Sequence, residues 1–175
     1  MTLIKLGQVA GLKLSALPSA IIGSIVLWVV LSGVAILLLK LSLVSAVIGG
    51  LMAVALHWTS EVVHQTGHAW AARHVGYPMT GIRFWGVLST SLYPSNVPSL
   101  PTAIHIRRAL GGPAASLLSS AIVALAALAL RSVGGVLWWL AVFFCVDSFF
   151  VMTLGALIPL GFNDGGTLMQ WGGKR

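Results

Sequence analysis

Four long apolar stretches dominate the pattern of hydrophobic and polar positions along the chain. They cover residues 19–39, 43–70, 113–130 and 136–158. Each approaches the roughly 20 apolar residues that an α-helix needs to cross a bilayer. The pattern therefore predicts a single all-α polytopic membrane domain over residues 1–175, with about four transmembrane helices.

The segments outside these stretches give weaker signals. Residues 1–18 are mildly amphipathic, so we expect an interfacial lead-in. The apolar run that follows is too long for a signal-peptide core, which argues against a cleavable signal. The loop 76–105 is rich in Pro, Ser and Gly and contains a β-prone stretch at 82–93. This stretch predicts either a cytoplasmic loop or a strand pair at the membrane edge, covered by protein.

Composition supports a membrane protein whose first partner is the lipid bilayer. The chain is 58% apolar and has ten Lys and Arg against three Asp and Glu. The cations flank the apolar stretches and form no stripe with aromatic residues, so nucleic acid is not a predicted partner. The lone Cys145 excludes a disulfide framework within the chain.

The distribution of cations predicts the topology. With four spans both termini share one side, and eight of the ten cations lie there. The positive-inside rule then places both termini in the cytoplasm, and we expect an integral protein of a prokaryotic-type inner membrane. The eight are Lys5, Lys13, Arg73, Arg83, Arg107, Arg108, Lys174 and Arg175, whereas Lys40 and Arg131 lie on the other side.

A stripe of ionisable side chains runs along one face of the second span. It consists of His57, Glu61, His64 and His68. Each such group costs at least a few kcal/mol in a membrane helix, so the stripe needs a compensating partner. Two histidines four residues apart suit a metal ion, and this interpretation is favoured over histidines that simply pack. For His57 packing is favoured over ligation of a tetrapyrrole or a hydrogen bond to a neighbour.

A catalytic zinc site needs a third protein ligand. The chain offers Glu61, Asp147 and Asp164. Asp164 precedes two glycines that allow a sharp turn, although an ordinary turn at a helix exit explains the same residues. Asp147 lies within the fourth span and suits a proton relay or a structural hydrogen bond equally.

The order of these motifs resembles the site-2 protease family of intramembrane zinc metalloproteases. The stretch from His64 to Ala69 resembles the family's His-Glu-x-Gly-His-Ala helix, Gly112-Pro113 resembles its Gly-Pro turn before a span, and 159–166 resembles its Pro…Asp-Gly segment. The resemblance implies that zinc is bound by His64, His68 and Asp164. It also implies a cleft that accepts a transmembrane helix of another protein.

Two positions depart from the family pattern. Gln65 stands where the family has the Glu that takes a proton from the zinc-bound water, and Ala156 replaces an Asn that contacts the substrate. A carboxamide cannot accept that proton at neutral pH. Glu61 is either a substitute base or a hydrogen-bond partner for the free nitrogen of His64.

Three functional hypotheses follow. The first is a pseudoenzyme, a non-hydrolytic or strongly impaired metalloprotein that binds a membrane helix or serves as a subunit of a membrane complex. The second is a hydrolase, an active intramembrane zinc metalloprotease that cleaves a transmembrane substrate near the cytoplasmic face. The third is a helical redox or pigment protein with histidine ligands such as His57.

Overall fold

The computed structural model describes residues 2–96 and 99–173. Its helices are α1 (Pro18–Leu37), α2 (Leu43–His74), α3 (Thr102–Leu130), α4 (Gly135–Val146), which continues as a π-helix (Asp147–Gly155), and α5 (Asp164–Gly172). Its strands are β1 (Ile4–Val9), β2 (Leu12–Ala16), β3 (Gly81–Trp85) and β4 (Leu88–Leu92).

Four helical segments in the described part of the chain are long and apolar enough to cross a membrane. They are α1, α2, α3 and α4 with its π-helical continuation. Large apolar side chains such as Ile22, Leu118 and Leu125 are exposed on their outer faces, which is typical of contact with lipid. The predicted polytopic helical membrane fold is therefore confirmed.

Two helix boundaries differ from the hydropathy pattern. The third helix begins at Thr102, and Pro113 lies inside it rather than at its start. Arg107 and Arg108 make this first part polar, so hydropathy alone does not detect it. The second helix continues to His74, because the chain turns only at Gly76, whose φ of 80° is left-handed.

The segment predicted as an interfacial lead-in contains the strands β1 and β2. The sheet has the order β1-β2-β3-β4, with β2 and β3 parallel and the outer pairs antiparallel. Leu12, Leu14 and Ala16 alternate along β2 and contact one core, which is the period of a strand rather than of an amphipathic helix. For the β-prone stretch 82–93, the strand-pair alternative is confirmed.

The sheet packs against the C-terminal half of α2. Ile82 and Phe84 of β3 contact Ala69 and Ala72 of α2 in one buried cluster. Small residues on this helix let the sheet approach closely, which brings β4 alongside the polar stripe. The fold thus places the sheet, α3 and α5 around one stretch of a single helix.

Close helix packing depends on Gly67 of α2. A Cβ atom there would lie well inside van der Waals contact of the Gly111 carbonyl of α3 and of the Ala115 methyl group. We expect G67A to lower the free energy of unfolding by about 1–3 kcal/mol, because a packed interface cannot yield to an added methyl group. Reversible denaturation in mixed detergent micelles measures this change.

The matched control is G33A, in α1. No atom lies within 4 Å of a Cβ at Gly33. Alanine is the better helix former by about 0.5–1 kcal/mol, so G33A is expected to leave stability unchanged or raise it. Equal effects of the two substitutions would contradict the packing argument.

Candidate metal centre

Three side chains converge where α2 meets α5. The Nε2 atoms of His64 and His68 lie 3.0 Å apart. The carboxylate of Asp164 reaches both, with Oδ2 at 3.2 Å from Nε2 of His64 and Oδ1 at 3.3 Å from Nε2 of His68. Ligand atoms of all three lie within 4.8 Å of one another, close enough to share one cation. The structure thus brings together the three residues that the family resemblance implies as ligands.

The other ring nitrogens of the two histidines are held by α3. Nδ1 of His68 lies 2.7 Å from the Arg108 carbonyl oxygen, and Nδ1 of His64 lies 3.0 Å from the Ser116 hydroxyl. A carbonyl can only accept, so Nδ1 of His68 donates and its Nε2 keeps a lone pair. In this tautomer the lone pair of Nε2 points towards Asp164, which is the arrangement that a metal-binding histidine requires.

Asp164 is aimed inward by the residue before it. Asn163 caps α5, its Oδ1 accepting from the backbone amides of Gly166 at 3.0 Å and Leu160 at 3.2 Å. Its Nδ2 donates to the carbonyl of Ile158 at 2.6 Å. One side chain therefore ties the start of α5 to the chain leaving the fourth span, which fixes the position of the carboxylate.

Electrostatics also favour an ionised Asp164. Burial raises the pKa of this carboxyl, but the adjoining imidazoles of His64 and His68 lower it by more, so the pKa lies below its ordinary value. The carboxylate is thus available as an anionic ligand.

A cavity of about 580 Å³ opens beside the three residues. Gly112 leaves room there, since a Cβ at that position would meet Nε2 of both histidines. Ala156 also lines the cavity. Arg108 lies over the ring of Tyr93 at 3.3 Å from its centroid, and both also line the cavity. The remaining walls come from α2, the β3–β4 hairpin, the start of α3, the π-helix and residues between 158 and 167.

Gln65 is fully engaged by strand β4. Its Nε2 donates to the Ser89 hydroxyl at 2.9 Å, and its Oε1 accepts from the Ser91 hydroxyl at 2.7 Å. Both polar ends of the carboxamide are therefore used within the protein. The side chain is 4% exposed, although it borders the cavity.

Glu61 also bonds β4, and this corrects one expectation. Its carboxylate accepts from the Ser89 hydroxyl. Nδ1 of His64 instead bonds the Ser116 hydroxyl, so the hydrogen bond expected between Glu61 and His64 is not formed. Glu61 nevertheless lines the same cavity as the two histidines.

His57 bonds a different pair of groups, deeper in the helix bundle. Its Nδ1 lies 3.1 Å from Oδ1 of Asp147, and its Nε2 donates to the Val87 carbonyl at 2.8 Å. Both ring nitrogens are used, which removes the basis for a tetrapyrrole ligand. The hydrogen-bonding role considered for His57 and Asp147 is the one the structure supports.

Several of these positioning residues are not found by reading the sequence. Ser89, Ser91 and Ser116 are single hydroxyls without a motif around them, and only the tertiary fold brings them to α2. Asn163 carries a local signal, because Asn before a helix start is a common cap.

Comparison with known proteins agrees with this architecture. The structure is similar to that of the site-2 protease from Methanocaldococcus jannaschii, with a TM-score of 0.64. The chain has the fold of a site-2 protease. The match covers 97% of this chain and 70% of that protein at 19% sequence identity, so the likeness concerns the site-2 protease fold. No family model and no curated protein sequence matches the chain.

The Asn163 cap generates a stability prediction. We expect N163A to lower the free energy of unfolding by about 1–2 kcal/mol, because the amides of Gly166 and Leu160 lose their acceptor and the Ile158 carbonyl loses its donor. Thermal unfolding of detergent-solubilised protein measures the loss.

The control is N96A, in an exposed bend where the side chain bonds only the neighbouring Ser95 hydroxyl. That change is expected to stay within about 0.5 kcal/mol of the unmodified protein. A loss at N96A as large as that at N163A would argue against a specific cap.

Proposed function

We propose that the chain is a membrane metalloprotein of the site-2 protease type that binds a transmembrane segment of another protein without hydrolysing it, or with hydrolysis strongly impaired. The observation that carries this proposal is the hydrogen bonding of Gln65. The side chain beside the metal ligands is a carboxamide whose two polar ends are already bonded to β4.

The donor set fits zinc. Two imidazole nitrogens and a carboxylate oxygen are ligands that zinc accepts, and three protein ligands leave one position open. Within this arrangement His64, His68 and Asp164 would hold the ion, and Gly112 leaves the space it needs. Zinc bound there would supply Lewis acidity and a water of lowered pKa.

Hydrolysis also needs a group that accepts a proton from the attacking water, and position 65 does not provide one. Gln65 has no basic atom at neutral pH. The loss of a general base typically lowers a rate by about 10²–10⁴-fold. Ala156 borders the cavity without any donor for a developing oxyanion, which costs about a further 10²–10³-fold. Together these losses favour binding over cutting.

The cavity suits an apolar chain segment. Its walls include Leu88 of β4, Met152 of the π-helix and Leu160, and it opens between secondary-structure elements rather than being closed inside the bundle. A membrane helix, or a locally extended part of one, has the apolar surface that such walls match. A partner of this class could equally belong to a larger membrane complex in which the chain is a subunit.

One observation favours the second candidate function, an active intramembrane zinc protease. Glu61 is a buried carboxylate that lines the same cavity as the metal ligands. A carboxylate in that position could serve as the base that Gln65 cannot provide. Its hydrogen bond from Ser89 and its place one turn before His64 count against this role.

The test uses single-pass reporter proteins that carry a photo-crosslinker within their membrane helix. They are reconstituted in proteoliposomes with the zinc-loaded chain. We expect crosslinks to the cavity walls and no cleavage products by mass spectrometry. The H64A/H68A variant is the control for a role of the metal. Cleavage by the unmodified chain, or crosslinks no stronger than those to the outer face of α1, would contradict the proposal.

A gain-of-function variant separates a decayed enzyme from an active one. In E61Q/Q65E/A156N only one carboxylate accepts a hydrogen bond from Ser89. The variant also supplies a base at position 65 and an amide at position 156. We expect it to cleave reporters that the unmodified chain only crosslinks, with a rate increase of about 10²-fold or more. If the unmodified chain does cleave a reporter and E61Q alone abolishes that cleavage, Glu61 is identified as the base.

The orientation with both termini in the cytoplasm forms part of the same proposal. It would place the metal ligands near the cytoplasmic face. The excess of cations on that side supports it, since cytoplasmic loops retain Lys and Arg.

A further inference from the structure

A row of polar side chains on α2 matches a row of polar groups on the β3–β4 hairpin. His57, Glu61 and Gln65 recur every four residues and bond Val87, Ser89 and Ser91, which recur every two. Four residues of helix rise about 6 Å, and two residues of strand rise about 6.6 Å, so the rows stay in step. We call these six residues the polar ladder.

The polar ladder depends on the direction of each hydrogen bond. The hydroxyl of Ser89 has one proton, which it donates to Glu61. A side chain at position 65 can therefore bond the Ser89 oxygen only by donating to it, as Nε2 of Gln65 does at 2.9 Å. The other end of the same side chain must accept from Ser91. A carboxamide meets both demands, whereas a carboxylate meets only the second.

A carboxylate at position 65 would also bring a second negative charge to Ser89. Glu61 is 3% exposed and Gln65 is 4% exposed, so water cannot solvate two charges there. Two carboxylates competing for one hydroxyl proton in an apolar setting leave one of them without a partner. The hydrogen bonds of the polar ladder are therefore satisfied by one carboxylate and one amide, but not by two carboxylates.

We propose that Gln65 is a positioning residue whose carboxamide fixes β4 in one register against α2 and so sets the wall of the cavity beside His64 and His68. Gln65 stands at the position of the family's general base, and in this proposal it has a structural role instead. Strand β4 lies at the edge of the sheet, with β3 on one side only, so the polar ladder supplies an attachment that a second strand would otherwise provide.

The proposal predicts an order among four proteins. In Q65E two carboxylates compete for the proton of Ser89, and the polar ladder breaks. In E61Q the new amide oxygen at position 61 still accepts from Ser89, and the polar ladder persists. In E61Q/Q65E the bonds to Ser89 reverse, because the new amide at position 61 donates to its oxygen while the new carboxylate at position 65 accepts its proton. The double variant is therefore expected to recover what Q65E loses.

Hydrogen exchange of the β4 backbone amides, followed by mass spectrometry in lipid nanodiscs, measures the attachment. We expect Q65E to speed exchange across Leu88–Leu92 by about tenfold or more, and E61Q and E61Q/Q65E to stay within about threefold of the unmodified chain. T66A is the matched control, because Thr66 is exposed and bonds the Val63 carbonyl of its own helix.

Three results would overturn the proposal. They are unchanged exchange in Q65E, exchange in E61Q/Q65E as fast as in Q65E, and an equal effect of T66A. If Q65E does not fold, S91A tests the same contact from the strand side and is expected to speed exchange of β4 by about tenfold. The measurement needs neither zinc nor a bound helix, so its outcome is independent of the crosslinking and cleavage assays that test the proposed function.

Discussion

Most of this structure depends on one constraint, the need to satisfy polar side chains on α2 inside an apolar environment. Water is scarce there, and each unpaired polar group costs several kcal/mol. The partners come from four other elements. Ser116 of α3 bonds His64, Asp164 of α5 contacts both metal-site histidines, Asp147 of the π-helix bonds His57, and β4 bonds Glu61 and Gln65. Their positions are thus fixed relative to a single helix.

This arrangement divides the polar side chains of α2 into two sets. His64 and His68 face α3 and α5, where their Nε2 atoms converge with a carboxylate. His57, Glu61 and Gln65 face the hairpin instead. One helix can serve both because residues four apart share a face, while a shift of one residue turns the side chain by about 100°. Gln65 follows His64 in sequence and still belongs to the second set.

The membrane spans could be predicted from the sequence, whereas His64, His68 and Asp164 as metal ligands stay a prediction. Apolar length and the spacing of His64 and His68 are local signals, and Asp164 follows a clear helix stop at Pro159. The partners of Gln65 could not be predicted in the same way, because Ser89 and Ser91 are distant in sequence and have no pattern of their own. The strands β1 and β2 were missed because six or fewer residues with mixed polarity give a weak period.

Metal analysis tests the claim on which the proposed function depends, that His64, His68 and Asp164 hold zinc. Inductively coupled plasma mass spectrometry of detergent-purified protein would compare the unmodified chain with H64A/H68A and with H74A, an exposed histidine on the same helix. The account predicts about one zinc per chain in the unmodified protein and in H74A, and none in H64A/H68A. No metal in any of them, or equal metal in all three, would contradict it.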